Sequence, residues 1–223
     1  MKEAEGDNAL SVDQRLALAG LYRSLGRDGA AIDALKGIAG MESPPEEVMA
    51  ALAELYLETG RAEEGLAFMN ALRAHRASPA TDAAWAVLSA TVEGEAAALA
   101  WLEGLDPAAL SDQLLTDLYF IALDNAKGGL AVAAAERLYT RSADAVRALY
   151  LARALSLTGG GERALALLRP MLPGDGETRA AYVEALVAAL KAGAPVREEL
   201  VAYLEERLAD PDTTPVERES LVG

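Results

Sequence analysis

The chain has 223 residues, no cysteine, one histidine and a formal net charge of −15 at neutral pH. The lack of cysteine excludes disulfides and thiolate metal sites, and the strong acidity argues against binding to nucleic-acid phosphates or an anionic membrane. Hydrophobic residues make up 52% of the chain and aromatic residues 5%. The apolar part is rich in alanine, a strong helix former, and its runs are far shorter than the ~20 residues of a membrane span.

Helical periodicity predicts twelve helices joined by short connections. We expect a flexible tail at 1–10 and a helical array over 11–210, with helices near 11–25, 28–39, 45–59, 62–76, 79–92, 95–104, 111–124, 128–140, 142–157, 160–172, 176–192 and 195–208. Thr214-Pro215-Val216-Glu217 has the pattern of a capping box with proline at the first helical position. We therefore expect 211–223 to begin a further, truncated repeat, so that the chain is a fragment of a longer protein.

An internal repeat organises these helices. Gly26 and Gly60 are 34 residues apart, and Gly159 and Gly193 are separated by the same distance. The first copy is defined by Leu18, Ala19, Leu21, Tyr22, Leu25, Gly26, Ala31 and Leu35, and the second by Leu52, Ala53, Leu55, Tyr56, Thr59, Gly60, Gly65 and Met69. The third copy fits if its turn is one residue shorter, and the fourth has an irregular turn over 124–129.

The conserved residue types of the copies have physical roles. Alanines lie where two helices cross, because a methyl group allows close approach of the backbones. Leu18, Leu21 and Leu25 are spaced as one apolar face of a helix. The glycines end helices, because they adopt a left-handed backbone most easily.

A period near 34 residues is typical of stacked helix pairs, and these residues resemble the tetratricopeptide repeat (TPR) family. The resemblance implies an all-α fold: a right-handed α-solenoid of about six antiparallel helix pairs that binds other proteins and is not an enzyme. A related helical repeat is the structural alternative. Asp13, Glu47, Glu54 and Glu58 fall at positions that face the concave side in that family, together with Arg23 and Arg153. The simpler interpretation is that the acidic residues keep the chain soluble, and the alternative hypothesis is that the N-terminal groove binds a cationic partner.

Catalytic and cofactor motifs find little support in the sequence. His75 lies near a predicted helix end, where a cation interacts well with the helix dipole. Gly159-Gly160-Gly161 lacks the Lys-Ser/Thr ending and the preceding strand of a phosphate loop. We therefore expect no catalytic residue, no cofactor and no metal site.

One stretch carries a narrower resemblance. Tyr119–Leu172 is similar to periplasmic repeats of bacterial exopolysaccharide export proteins of the Pel and cellulose type. That resemblance implies a periplasmic scaffold that recruits a polysaccharide-modifying enzyme. The alternatives are a cytoplasmic adaptor, a helical accessory domain of an enzyme whose catalytic part lies elsewhere, and direct binding of a cationic polysaccharide.

Overall fold

The computed structural model describes residues 10–41 and 45–210. Within these ranges it contains twelve α-helices, at Val12–Ser24 (α1), Asp28–Ala39 (α2), Glu46–Glu58 (α3), Ala62–His75 (α4), Pro79–Val92 (α5), Glu95–Gly104 (α6), Asp112–Asp124 (α7), Gly128–Arg141 (α8), Ala145–Leu157 (α9), Gly161–Leu168 (α10), Gly176–Lys191 (α11) and Arg197–Ala209 (α12). A short 3₁₀ turn, Arg169–Met171, follows α10. The all-α prediction is confirmed, and each predicted helix is present. The predicted tail up to residue 9 and the predicted truncated repeat over 211–223 lie outside the described residues.

Five helices begin where the sequence supplies a side-chain cap. The side chains of Ser11, Ser78, Ser111, Asp144 and Asp175 each accept a hydrogen bond from a backbone N–H in the first turn of the helix that follows. Such caps satisfy donors that have no partner within the helix. Ser11 forms a full capping box with Gln14. These polar starts set the phase of each apolar face.

Five of the turns inside the pairs share one backbone geometry. The residue two places after the last helical residue has a positive φ, at Gly26, Gly60, Gly159 and Gly193 and also at Ala126. The next N–H along the chain donates to a carbonyl five residues back, as from Lys127 to Ala122 at 2.8 Å. This pattern is a Schellman cap. The fourth turn is therefore regular, which corrects the prediction of an irregular turn.

The third turn differs in length. Gly94, with φ of 96°, directly precedes α6 and is 34 residues after Gly60. In the first turn, by contrast, Arg27 lies between the positive-φ glycine and the next helix. The third turn is thus one residue shorter, as the sequence predicted.

The chain divides into two compact units, Met1–Leu130 and Ala131–Gly223. In the first unit, α2 packs on α3, α4 packs on α5, and α5 also packs against α3, α6 and α7. In the second unit, α10 packs on both α9 and α11, and α11 packs on α9 and α12. Within each unit, a helix pair is therefore stabilised mainly by contacts with its neighbours in the stack.

Small residues allow this close packing. The alanines predicted at helix crossings are all buried: Ala19, Ala31, Ala53, Ala152 and Ala164. Tyr56 is fully buried and contacts α4 at Gly65, where an added Cβ would lie 2.7 Å from the Tyr56 ring. The predicted apolar face of α1 is only partly covered, because Leu21 is 54% and Leu25 61% exposed. The apolar spacing of α1 therefore does not mark its buried side at these two positions, whereas Ala19 on the same helix is buried.

Candidate functional site

The first helices of five pairs, α1, α3, α7, α9 and α11, share one pattern of surface positions, whereas the matching Thr81 and Leu88 on α5 are buried. Counted back from the positive-φ residue, these positions are 13, 9, 6 and 2 residues away, which is helical spacing for a single stripe. On α3 they are Glu47, Ala51, Glu54 and Glu58, and on α7 they are Gln113, Asp117, Phe120 and Asp124. We call them the inner-face positions. Five of these eight side chains are carboxylates, three on α3 and two on α7.

The inner-face positions of α3 and α7 line a common cleft. Its volume is about 470 Å³, and its lining is Glu46, Glu47, Ala50, Ala51, Glu54, Gln113 and Asp117. We call this the acidic cleft. All of its ionisable lining residues are acidic, so a positive charge can come only from outside the lining.

The alanines of α5 form the base of the space between α3 and α7. Helix α5 lies between α3 and α7, yet α3 and α7 also contact each other. Ala80, Ala83 and Ala84 on α5 contribute little bulk at this base. Near one end, the Ser111 hydroxyl lies 3.3 Å from a carboxylate oxygen of Glu46 and donates a hydrogen bond to it. With a volume of about 470 Å³, the cleft has room for a long side chain.

The surroundings of two cleft carboxylates, Glu54 and Asp117, disfavour their charged forms. Burial raises the pKa of Glu54, and the nearby carboxylates of Glu58, Asp117 and Asp124 raise it further, whereas Arg23 lowers it. Burial also raises the pKa of Asp117, against the hydrogen bond that Gln113 donates at 2.7 Å. Glu47 adds to the shift at Asp117. Both carboxylates are half-desolvated and repelled by their neighbours, so a cation entering the cleft would be attracted.

The structure separates the residues predicted from the sequence. Glu47 and Glu54 both line the cleft. Glu58 forms an ion pair with Arg23, so Arg23 is already engaged at that end of α3. Asp13 is exposed in the first turn of α1 and is not among the cleft residues. Arg153 belongs to the second unit and has no part in the cleft.

Sequence reasoning missed three cleft residues, Glu46, Gln113 and Asp117. The signal for the last two was available, because they precede Ala126 by 13 and 9 residues, the same distances that place Glu47 and Ala51 before Gly60. Treating the fourth turn as irregular hid this register.

The acidity of the chain is concentrated in the first unit. Residues 1–130 contain 9 Lys and Arg against 21 Asp and Glu, whereas residues 131–223 contain 11 against 14. The net charges are therefore −12 and −3. Any electrostatic attraction of a cationic partner acts mainly through the first unit.

Over residues 10–41 and 45–210, no group of three or more His, Cys, Asp and Glu side chains is placed to hold a metal ion. No helix in the described part of the chain is long and apolar enough to cross a membrane. Trp85 and Trp101 are half-buried and form an edge-to-face pair at 6.3 Å, with Arg73 stacked 3.9 Å above the Trp85 ring.

Comparisons with known proteins support the fold. No protein-family model matches the chain, and a search of curated proteins gives no match. Among solved structures, the chain is similar to a tetratricopeptide repeat protein from Parabacteroides merdae, with a TM-score of 0.51 and 16% sequence identity. The similarity covers 98% of this chain and 86% of that protein. The fold is thus TPR-like along nearly the whole chain.

Proposed function

We propose that this chain is a non-catalytic protein-interaction scaffold, and that the acidic cleft binds a lysine or arginine side chain of a partner protein. The observation that carries the proposal is the cleft itself, because Glu54 and Asp117 are partly buried there without a cation in the lining. A TPR-like fold supplies a rigid frame for such a surface.

The chemistry of the cleft favours an anchoring side chain with a positive charge, because every ionisable residue in its lining is acidic. The cationic group of one lysine or arginine could contact both Glu54, which lies on α3, and Asp117, which lies on α7. Hydrogen bonds to charged groups contribute about 1.5–3 kcal/mol each to stability or binding. The acidic first unit would also accelerate association with a basic segment at low salt.

The test is a binding titration with two fluorescent 12-residue peptides, one with four lysines among glycine and serine and the other with glutamate at the same places. We expect only the lysine peptide to bind, less tightly as salt increases, and the double variant Glu54→Gln/Asp117→Asn to bind it at least about tenfold more weakly. The matched control is Asp33→Asn/Glu63→Gln, which removes two exposed charges of the same unit away from the cleft.

Two results would contradict the proposal. Equal weakening by the control pair would mean that only the net charge matters. Unchanged binding by the cleft variant would mean that the lysine peptide binds elsewhere.

The narrower context of the scaffold rests on sequence resemblance alone. We propose that the chain belongs to a periplasmic exopolysaccharide export system and recruits a polysaccharide-modifying enzyme, as the resemblance of Tyr119–Leu172 implies. Cross-linking in the native host tests this: the enzyme should be recovered from the envelope fraction, and less of it with the cleft variant. Recovery of cytosolic proteins alone would favour a cytoplasmic adaptor.

The acidic cleft also suits a cationic polysaccharide, since an amino group on a sugar ring presents the same charge as lysine. Titration with glucosamine oligomers and with neutral glucan oligomers separates this possibility from protein binding. Heat of binding with the glucosamine oligomer alone, lost in the cleft variant, would favour the sugar ligand. Absence of binding heat with both oligomers would exclude a polysaccharide ligand.

A further inference from the structure

The second unit presents a different chemistry at the same inner-face positions. On α9 these positions are Val146, Tyr150, Arg153 and Leu157, and on the adjacent α11 they are Ala180, Glu184, Val187 and Lys191. Val146 is 57% and Leu157 67% exposed. In the first unit the same positions on α3 and α7 are mostly acidic. We call the α9 and α11 positions the second-unit face.

The exposed apolar residues of α9 are not needed for the core of the unit. Helix α9 buries other residues against its neighbours, among them Leu149, Leu151 and Leu155. Val146 and Leu157 lie outside this set, and each leaves more than half of its surface in water. Covering an exposed leucine or valine is favourable, because it removes apolar surface from water. A partner that covered both side chains would gain from each of them.

Cations accompany the apolar residues. Arg153 lies between Val146 and Leu157 along α9, and Lys191 ends the same row on α11. Among the described residues, neither side chain forms a hydrogen bond or an ion pair. Glu184 is the single acidic residue of the eight positions. The face thus combines apolar contact area with available positive charge.

We infer that the second-unit face binds an amphipathic segment of a partner protein in which apolar side chains flank carboxylates. The apolar side chains would cover Val146 and Leu157, and the carboxylates would pair with Arg153 and Lys191. This site is independent of the acidic cleft, whose partner carries the opposite charge. The smaller net charge of residues 131–223, −3 against −12, permits an acidic partner there.

The spacing sets the length of the bound segment. Val146 and Leu157 are 11 residues apart, which is about 16 Å along a helix. A partner helix therefore needs at least three turns to contact both. An extended segment needs about five residues to span the same distance.

The experiment uses the full chain and three labelled 18-residue peptides that can form helices. The acidic probe has leucines three and four residues apart with glutamates beside them. In the second peptide lysine replaces every glutamate, and in the third alanine replaces every leucine. We expect fluorescence anisotropy to show binding of the acidic probe, with weaker binding of the alanine peptide. Binding of the second peptide, in which lysine replaces glutamate, should not depend on the second-unit face.

Single substitutions then locate the acidic probe. Leu157→Ala and Val146→Ala should each weaken its binding, by about tenfold for the leucine. Arg153→Ala should weaken it about fivefold and make it less sensitive to salt. The matched control is Leu25→Ala on α1, because Leu25 is 61% exposed but belongs to the other unit. It should leave binding unchanged.

The cleft variant Glu54→Gln/Asp117→Asn distinguishes the two proposals, because it should weaken binding of the 12-residue lysine peptide about tenfold and leave acidic-probe binding intact. Absence of acidic-probe binding, or equal weakening by Leu25→Ala, would overturn this inference alone. So would acidic-probe binding that Leu157→Ala and Arg153→Ala do not change. Far-UV circular dichroism of each variant verifies that the helices remain folded.

Discussion

The fourth turn offers a sharp test of the repeat register. Ala126 has φ of 55°, whereas the matching positions of four other turns hold glycine at φ of 67°, 68°, 81° and 90°. A side chain makes this left-handed backbone unfavourable. Replacing Ala126 by glycine should therefore stabilise the protein.

The magnitude follows from two opposing terms. The left-handed conformation costs an L-residue about 1–2 kcal/mol. Glycine has more freedom in the unfolded chain, which offsets about 0.5–1 kcal/mol of the gain. We expect Ala126→Gly to raise the free energy of unfolding by about 0.5–1 kcal/mol.

The reverse substitution gives the mirror result. At Gly159 an added Cβ would meet no atom within 4 Å, so its cost is purely that of the backbone conformation. Gly159→Ala should lower the free energy of unfolding by about the same 0.5–1 kcal/mol. The double variant should return close to the original value, because each substitution acts on the backbone conformation of its own turn.

Urea unfolding followed by circular dichroism at 222 nm measures these changes. Repeat proteins can unfold in more than one step. The slope of each unfolding transition is therefore compared between the variants and the unmodified chain before their midpoints are compared. The control is Ala17→Gly at an exposed position inside α1, which should lose up to about 1 kcal/mol of helix propensity. A lower midpoint for Ala126→Gly would refute the assignment of Ala126 to the repeat's glycine position.

Three further predictions concern packing and pH. Gly161→Ala should destabilise the second unit by about 2 kcal/mol in thermal unfolding, because the new Cβ would lie 2.2 Å from the Ala189 backbone nitrogen. The control is Gly20→Ala, whose Cβ would meet open space, so this variant should be neutral or stabilising. Arg169 holds the pKa of Glu199 below its ordinary value, so this pair stabilises the fold above the unfolded pKa and the contribution is lost as pH falls. Arg169→Met should therefore lower the urea midpoint at pH 7 and have less effect near pH 3. Because the pKa values of Glu54 and Asp117 are raised, the penalty from these two groups grows as pH rises through their folded pKa values. The double variant Glu54→Gln/Asp117→Asn should have a higher urea midpoint than the unmodified chain at pH 7 and a similar one in acid; a lower midpoint at pH 7 would contradict this reasoning.

The helices and their order could be predicted because two local signals agree. Helical spacing of apolar residues marks each element, and glycines at a fixed period mark the turns. Even the short third turn followed from the sequence. These features depend on residues near one another in the chain, so no knowledge of tertiary contacts was needed.

The acidic cleft depends on contacts that the sequence does not display. Glu47 and Glu54 could be placed on the concave side, but their approach to Asp117 requires α3 and α7 to meet across α5. That approach follows from the size of Ala80, Ala83 and Ala84 together. The exposure of Leu21 and Leu25 could not be predicted for a similar reason. Periodicity identifies an apolar stripe on a helix, but it does not identify the element that covers the stripe.

The cleft carboxylates connect stability with the proposed function. In the free chain, burial and mutual repulsion make the charged forms of Glu54 and Asp117 costly. A cation that relieves this cost binds more tightly for the same reason, because the relief appears only in the complex. Among cleft variants, greater stability of the free chain should therefore accompany weaker binding of the lysine peptide. Substitution of residues that serve packing alone would not raise stability while weakening binding. The sign of the correlation between stability and peptide affinity therefore separates a binding cleft from an accidental cluster of charges.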